Sequence, residues 1–289
     1  MDAQVLELPD GRALAWGEIG DPDGRPVLAF HGTPGSRHQV LVDPDGAAAA
    51  GVRLIAPDRP GYGLSAYQPG RTLAGWADDV AVLADHLGLD RFAVMGISGG
   101  GPHAAVCARF LPERVSAAAL VSGVGLMADP GSEAGMMGPN RLFARVARRA
   151  PMANAPLFGL VGILGRRSPD RAMAMMASRA PTADAAALEE PLLRDAFRRD
   201  LHQASRTTGR AAAQDFGLFA RDWGFRLEDI TVPVQVWQGD EDVNVPVAHA
   251  ERQAAAIPGA VLHLIPGEGH LMVVAHLSEI LGELLAAAR

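Results

Sequence analysis

A rhythm, and the place where it stops, constrain this chain more than any single residue. Over the first 125 residues short apolar runs alternate with stretches of helical spacing. Residues 27–30, 52–55, 92–95 and 115–121 read as strands, residues 73–87 as a helix stopped by Gly88, and 99 to about 110 as a second helix. Residues 5–8 and 13–16 flank Pro9-Asp10-Gly11-Arg12 and read as a hairpin. Alternation of this kind predicts an α/β fold, a parallel sheet with helices on both faces. From 126 to 225 only helix-like segments occur, such as 139–150, 172–179 and 185–205. Strands return at 232–237 and 261–265, and 277–288 closes the chain as a helix. The expected organisation is therefore a core in two parts, residues 1–125 and 226–289, with residues 126–225 as a helical insertion.

Composition removes several functions. A net charge of −7 suits nucleic acid poorly. Hydrophobic residues at 48% against 20% charged exclude a disordered chain. All basic residues are arginine, so neither Schiff-base chemistry nor a P-loop lysine is available. A single cysteine, Cys107, cannot form an intramolecular disulfide. Met1-Asp2-Ala3-Gln4 lacks the basic start of a secretory signal. The uncharged run at residues 150–165 is broken by Pro151 and Pro156 and falls short of the roughly 20 residues a spanning helix needs. The expectation is a cytoplasmic protein with no membrane span. Charge is uneven along it: the insertion has 14 arginines against 10 acidic residues, an excess that reads as a solvated helix face.

Gly96-Ile97-Ser98-Gly99-Gly100 stands between a predicted strand and a predicted helix. A sharp strand-to-helix turn requires small neighbours, and it lifts the Ser98 hydroxyl clear of the sheet while aiming the first helical amides at whatever Ser98 attacks. A phosphate loop would need a G-x-G-x-x-G order, which is missing. A serine nucleophile needs a base and an acid that orients the base. His270 follows the last predicted strand, in Pro266-Gly267-Glu268-Gly269-His270, and Asp240, Glu241 and Asp242 follow the penultimate one. Ser, Asp, His is then the chain order, each at the C-terminal end of a strand, where α/β sheets place their sites.

Five motifs together resemble the α/β-hydrolase family, in the branch of cap-bearing serine esterases, proline iminopeptidases and cofactor-free haloperoxidases. They are His31-Gly32-Thr33-Pro34-Gly35, Asp58-Arg59-Pro60-Gly61-Tyr62-Gly63-Leu64-Ser65, Gly96 to Gly100, Gly239-x-x-Asp242-x-x-Val245-Pro246, and Gly269-His270. The resemblance implies that Ser98 is the nucleophile, His270 the base and Asp242, rather than Asp240 or Glu241, the acid. It also implies an oxyanion hole made by the backbone N–H groups of Thr33 and Gly99, for which the Thr33 side chain is dispensable. It implies an α/β-hydrolase fold, with residues 126–225 as a helical cap, and hydrolysis of a small to medium, largely apolar ester.

Other residues are read more plainly. His31 shapes its turn, His103 packs, and Cys107 is a small buried hydrophobe. His38, His249, His263 and His276 lack metal-ligand spacing, so no metal and no cofactor are expected. Seven of the ten methionines lie in the insertion, and Met136, Met173 and Met176 are expected to line an entrance over Ser98. The expected partner is a small ester-like molecule, and nothing in these residues sets an oligomeric state. The rival functions are a proline iminopeptidase-like aminopeptidase, a perhydrolase, and a ligand-binding or biosynthetic protein on the same scaffold. The first would need an acidic cluster for a free amine, which the insertion lacks.

Overall fold

In a computed structural model that describes residues 3–129, 131–204 and 209–288, the Asp-Gly turn joins β1 (Gln4–Glu7) to β2 (Ala13–Gly20) as an antiparallel pair. Gly11 there has a φ of 80°, a conformation glycine adopts at little cost. The chain continues through β3 (Arg25–Phe30), α1 (Pro44–Ala49), β4 (Val52–Pro57), α2 (Ala74–His86), β5 (Phe92–Ile97), α3 (Gly101–Phe110) and β6 (Val115–Val121). Among the described residues six α-helices follow: α4 (Gly138–Ala147), α5 (Ala155–Arg167), α6 (Pro169–Ala177), α7 (Thr182–Ala187), α8 (Pro191–Ala204) and α9 (Arg210–Phe219). Then come β7 (Val234–Gly239), α10 (Val247–Ala256), β8 (Val261–Ile265) and α11 (Val273–Ala287).

The eight strands form one sheet in the order β1-β2-β4-β3-β5-β6-β7-β8, parallel from β4 to β8, with β1 and β2 running antiparallel at one edge. All six residues of β5 are buried. Phe92 and Val94 pack in the core shared with α2 and α3, while Ala93 and Met95 pack in the core shared with α11. Burial on both faces is why such strands read as continuous apolar runs rather than alternating ones.

Between β6 and β7 the described residues form no strand. The segment expected as one helix over 185–205 is two, α7 and α8, because Pro191 opens a new helix and cannot donate within the old one; Ser205 lies outside the described residues. Pro169 likewise starts α6 three residues ahead of the expected 172. The uncharged run 150–165 forms α5, with Pro156 in its first turn and Leu157, Leu160 and Leu164 exposed. No helix among the described residues is long and apolar enough to cross a membrane.

Candidate active site

The chain leaves β5 at Ser98, makes one 3-10 turn (Ser98–Gly100) and enters α3. Ser98 has a φ of 54°, a left-handed conformation that costs a non-glycine residue about 1–2 kcal/mol. Its neighbours show why this turn takes only glycine around it. A Cβ at Gly96 would strike the Gly100 carbonyl, one at Gly99 the Thr33 side chain, and one at Gly100 the Phe30 carbonyl. Ser98 remains partly exposed at the strand's C-terminal end. Ser122, just past β6, has a φ of 47° and was not singled out from sequence. Its Oγ donates to the His270 carbonyl at 3.3 Å and its N–H to the Trp237 carbonyl at 2.8 Å, while the Val124 N–H donates to the Ser98 carbonyl at 3.0 Å. The segment after β6 thus links Ser98 to the His270 loop.

Asp242 lies in the loop after β7. Its Oδ1 accepts from the N–H groups of Asn244 (2.8 Å) and Val245 (2.9 Å), its Oδ2 from Gln238 Nε2 (2.9 Å), and that same Oδ2 is 2.7 Å from His270 Nδ1. Three donors besides the histidine fix the carboxylate's direction. With Nδ1–H given to Asp242, the ring's proton-accepting lone pair is on Nε2. Burial of His270 works against the imidazolium, but the charge and hydrogen bond of Asp242, helped by the charge of Asp184, prevail and raise its pKa above the ordinary value. Asp240 turns elsewhere, accepting from the Gly267 N–H at 2.7 Å. Among the described residues no hydrogen bond joins Ser98 Oγ to His270. The structure therefore unites Asp242 with His270, and it links Ser98 to the His270 loop through the Val124 N–H and the Ser122 hydroxyl.

Thr33 and Gly99 are neighbours, a Cβ on Gly99 falling 3.1 Å from Thr33 N. Around Thr33 runs a buried network. Arg59 donates from Nη2 to the Gly32 carbonyl (2.9 Å) and Thr33 Oγ1 (2.7 Å), and from Nε to the His31 carbonyl (3.2 Å). Asp215 of α9 accepts from Thr33 Oγ1 (2.7 Å), Arg59 Nη1 (2.6 Å) and Tyr62 OH (2.8 Å), and pairs with Arg71. The Thr33 side chain, expected to be dispensable, is a member of this network. Burial works against the Asp215 carboxylate, yet Arg59 and Arg71 hold its pKa far below the usual range. At the loop's other end, Asp200 of α8 accepts from the Ser36 N–H (2.6 Å), Ser36 Oγ (2.7 Å) and Gln39 Nε2 (2.9 Å). Here burial wins over these hydrogen bonds and pushes the carboxyl up to about 7. Asp184 of α7 accepts from the N–H groups of His270 (2.9 Å) and Leu271 (2.7 Å). Sequence reasoning missed all three aspartates; only Arg59 had a signal, its place in the motif of residues 58–65.

That motif is structural. Asp58 accepts from the Leu64 N–H (3.1 Å) and is paired with Arg37 (2.5 Å), and a Cβ on Gly63 would collide with its carboxylate. His31 accepts from the Arg59 N–H at Nε2 and is kept neutral by burial and by Arg59, as a turn-shaping histidine would be. His103 is buried against Trp76 and Phe219, and Cys107 is buried in α3. Met136 packs with Val124, Phe219 and Val245, and Met173 with Leu188, Leu193 and Phe197, so these two are internal packing rather than an open wall; Met176 is 42% exposed. A cavity of about 930 Å³ opens elsewhere, lined by Phe110, Trp223, Phe225 and Gln253, and includes neither Ser98 nor His270. Among the described residues no group of three or more His, Cys, Asp or Glu is arranged to hold a metal ion.

With this geometry in view, comparison with known proteins is specific. A family model described as the alpha/beta hydrolase fold matches residues 25–277. The chain is 28% identical to a non-heme haloperoxidase of Rhodococcus erythropolis, covering 96% of each chain. It is 35% identical over 118 residues to an uncharacterized hydrolase of Bacillus subtilis, YcgS, covering 40% of this chain and 39% of that one. The first curated relatives are matched over only 39% and 31% of their own length. Among solved structures, an alpha/beta hydrolase fold protein from Nakamurella multipartita superposes with a TM-score of 0.71 at 27% identity, covering 100% of both chains.

Proposed function

The chain belongs to the alpha/beta hydrolase fold family, and from that premise we propose that it is a serine hydrolase cleaving a carboxylic ester of a small to medium, largely apolar substrate through an acyl-enzyme. One observation carries the reading: His270 gives Nδ1 to a carboxylate held by three further donors, which leaves Nε2 free to act as the base, and the chain also holds Ser98 at positive φ at a strand end. Ser98 Oγ attacks the ester carbonyl as its proton passes to His270 Nε2. The oxyanion that forms takes hydrogen bonds from the N–H groups of Thr33 and Gly99, each such donor being worth about 3 kcal/mol of barrier. His270 then protonates the departing alcohol, and water, activated by the same nitrogen, releases the acid and restores Ser98. Asp242 keeps the imidazole in its tautomer throughout. We take residues 126–225 as the cap over this site.

The test is Ser98→Ala. It is expected to lower turnover of p-nitrophenyl acetate by at least about 10³-fold, and to abolish labelling by a fluorophosphonate, with Tm changed by no more than a few degrees. A stable Ser98→Ala protein with wild-type turnover overturns the reading. The likeness to a haloperoxidase over 96% of both chains favours a second outcome for the acyl-enzyme. Hydrogen peroxide in place of water would release a peracid and free Ser98, and a peracid assay with and without acetate decides whether this occurs.

A further inference from the structure

Asp184, Asp200 and Asp215 lie on α7, α8 and α9, three different helices of the insertion, and all three are buried. Among the described residues none of the three carboxylates has a hydrogen bond to another residue of the insertion. Each reaches a loop at the C-terminal end of the sheet: residues 31–39 for Asp200 and Asp215, residues 270–271 for Asp184. We propose that the insertion positions the catalytic loops through these three aspartates, Asp215 and Asp200 holding the oxyanion loop and Asp184 the histidine loop. The assignment rests on the proposed roles of Ser98, His270 and the Thr33 amide.

Carboxylates are the right groups for this because they only accept. Asp184 meets two adjacent N–H groups, one on each oxygen, and an asparagine in its place satisfies one and turns its own N–H₂ toward the other. Asp200 accepts the Gln39 N–H₂, and that choice aims Gln39 Oε1 at the Gly32 N–H, 2.8 Å away. Reversing the amide would leave Gly32 N–H without its acceptor. Asp215 accepts the hydrogen bond that the Thr33 hydroxyl donates, so that Thr33 Oγ1 accepts in turn from Arg59, which also holds the carbonyls of His31 and Gly32. The network thereby uses Gly32 N–H, the Gly32 carbonyl and Thr33 Oγ1, and leaves the Thr33 N–H for a reacting oxygen. Asp184 does the equivalent for His270: its grip on the residue's backbone, together with the Ser122 bond to the His270 carbonyl, sets where the imidazole starts from. Displacing a reacting group by 1 Å costs about 10²-fold in rate, so anchors of this kind act on turnover rather than on substrate affinity.

The experiment compares Asp184→Asn, Asp200→Asn, Asp215→Asn and Thr33→Val with wild type, using p-nitrophenyl acetate for kcat and KM and a fluorophosphonate for the labelling rate. Near-UV circular dichroism restricts the comparison to folded protein. Each folded variant is expected to lose about 10- to 100-fold in kcat with KM within about threefold, and to label more slowly by a similar factor. Asp215→Asn combined with Thr33→Val is expected to be no worse than the poorer single variant, because both cut one contact. Folded variants with kcat within twofold of wild type, or with the loss confined to KM, overturn the proposal. Where an aspartate variant does not fold, Thr33→Val and Ser36→Ala, which leave the buried carboxylates in place, and Asp184→Ser, which removes one carboxylate but keeps a small hydroxyl acceptor, decide it on the same thresholds. Wild-type protein that is not labelled at Ser98 overturns the serine-hydrolase reading itself, and the labelling arm separates that failure from the other.

Discussion

Asp215 and Asp200 hold two ends of one loop, and their carboxylates are buried on opposite electrostatic terms. Asp215 sits between the guanidinium groups of Arg59 and Arg71, with Tyr62 and Thr33 completing its shell. Asp200 meets only neutral donors, and the charge of Asp58 adds to the cost of ionising it. Countercharge therefore holds the first far below the usual carboxylate range, while burial lifts the second to about 7. At Asp200 three neutral hydrogen bonds do not outweigh the cost of burial, whereas at Asp215 two guanidinium groups do.

The largest effect expected from this contrast is on stability. Asp215→Ala strands Arg59 and Arg71, whose side chains are 0% and 3% exposed, without a counter-ion. Removing one partner of a buried pair costs about 3–5 kcal/mol. Asp200→Ala strands only neutral donors, at about 1–3 kcal/mol. Urea unfolding of the two variants measures both, and equal losses would break the comparison.

The pH dependence should separate them next. The folded pKa of Asp200 is raised from 3.8 to about 7, so the folded state binds more protons than the unfolded one in that interval. Its contribution to stability is fully present below pH 4 and is lost as pH rises toward 7. Asp215 runs the other way: its contribution is present above pH 4 and is lost only under strong acid. Wild type is thus expected to lose stability relative to Asp200→Asn between pH 5 and pH 8, by roughly 2 kcal/mol at 1.36 kcal/mol per pKa unit with allowance for relaxation. Thermal unfolding at the two pH values reads the difference, and a pH-independent gap would show that Asp200 does not titrate there.

The smallest effect concerns apolar side chains of the same insertion. Met176, 42% exposed, lies outside the small clusters that enclose Met136 and Met173. Met176→Ala is expected to change stability by less than about 0.5 kcal/mol. A larger loss in urea unfolding would mean that its exposed face is covered in solution.

Much of this molecule could be read along the chain, for reasons that are local. The strands β3, β4, β5 and β6 appear as apolar runs because both faces of a parallel sheet are covered, and the turn at Ser98 shows itself because a Cβ would clash at positions 96, 99 and 100. Picking Asp242 over Asp240 and Glu241 needed the family pattern, since three adjacent acids look alike until one of them meets His270. Asp184, Asp200 and Asp215 gave no signal. An aspartate on a helix reads as a solvated face, and nothing in its neighbours reveals that a loop about 90 to 180 residues away will fold against it.

Sequence alone determined the layered core, the interruption of its rhythm, and which serine and histidine stand at strand ends. Those follow from periodicity and from steric limits on a few adjacent residues, which are properties of the chain itself. Tertiary structure alone decided that helices of the insertion reach back to the loops around Ser98, and that one of their buried carboxylates is neutralised by arginine while another is not. Desolvation and countercharge act between groups far apart in sequence, so neither exists until the chain has folded.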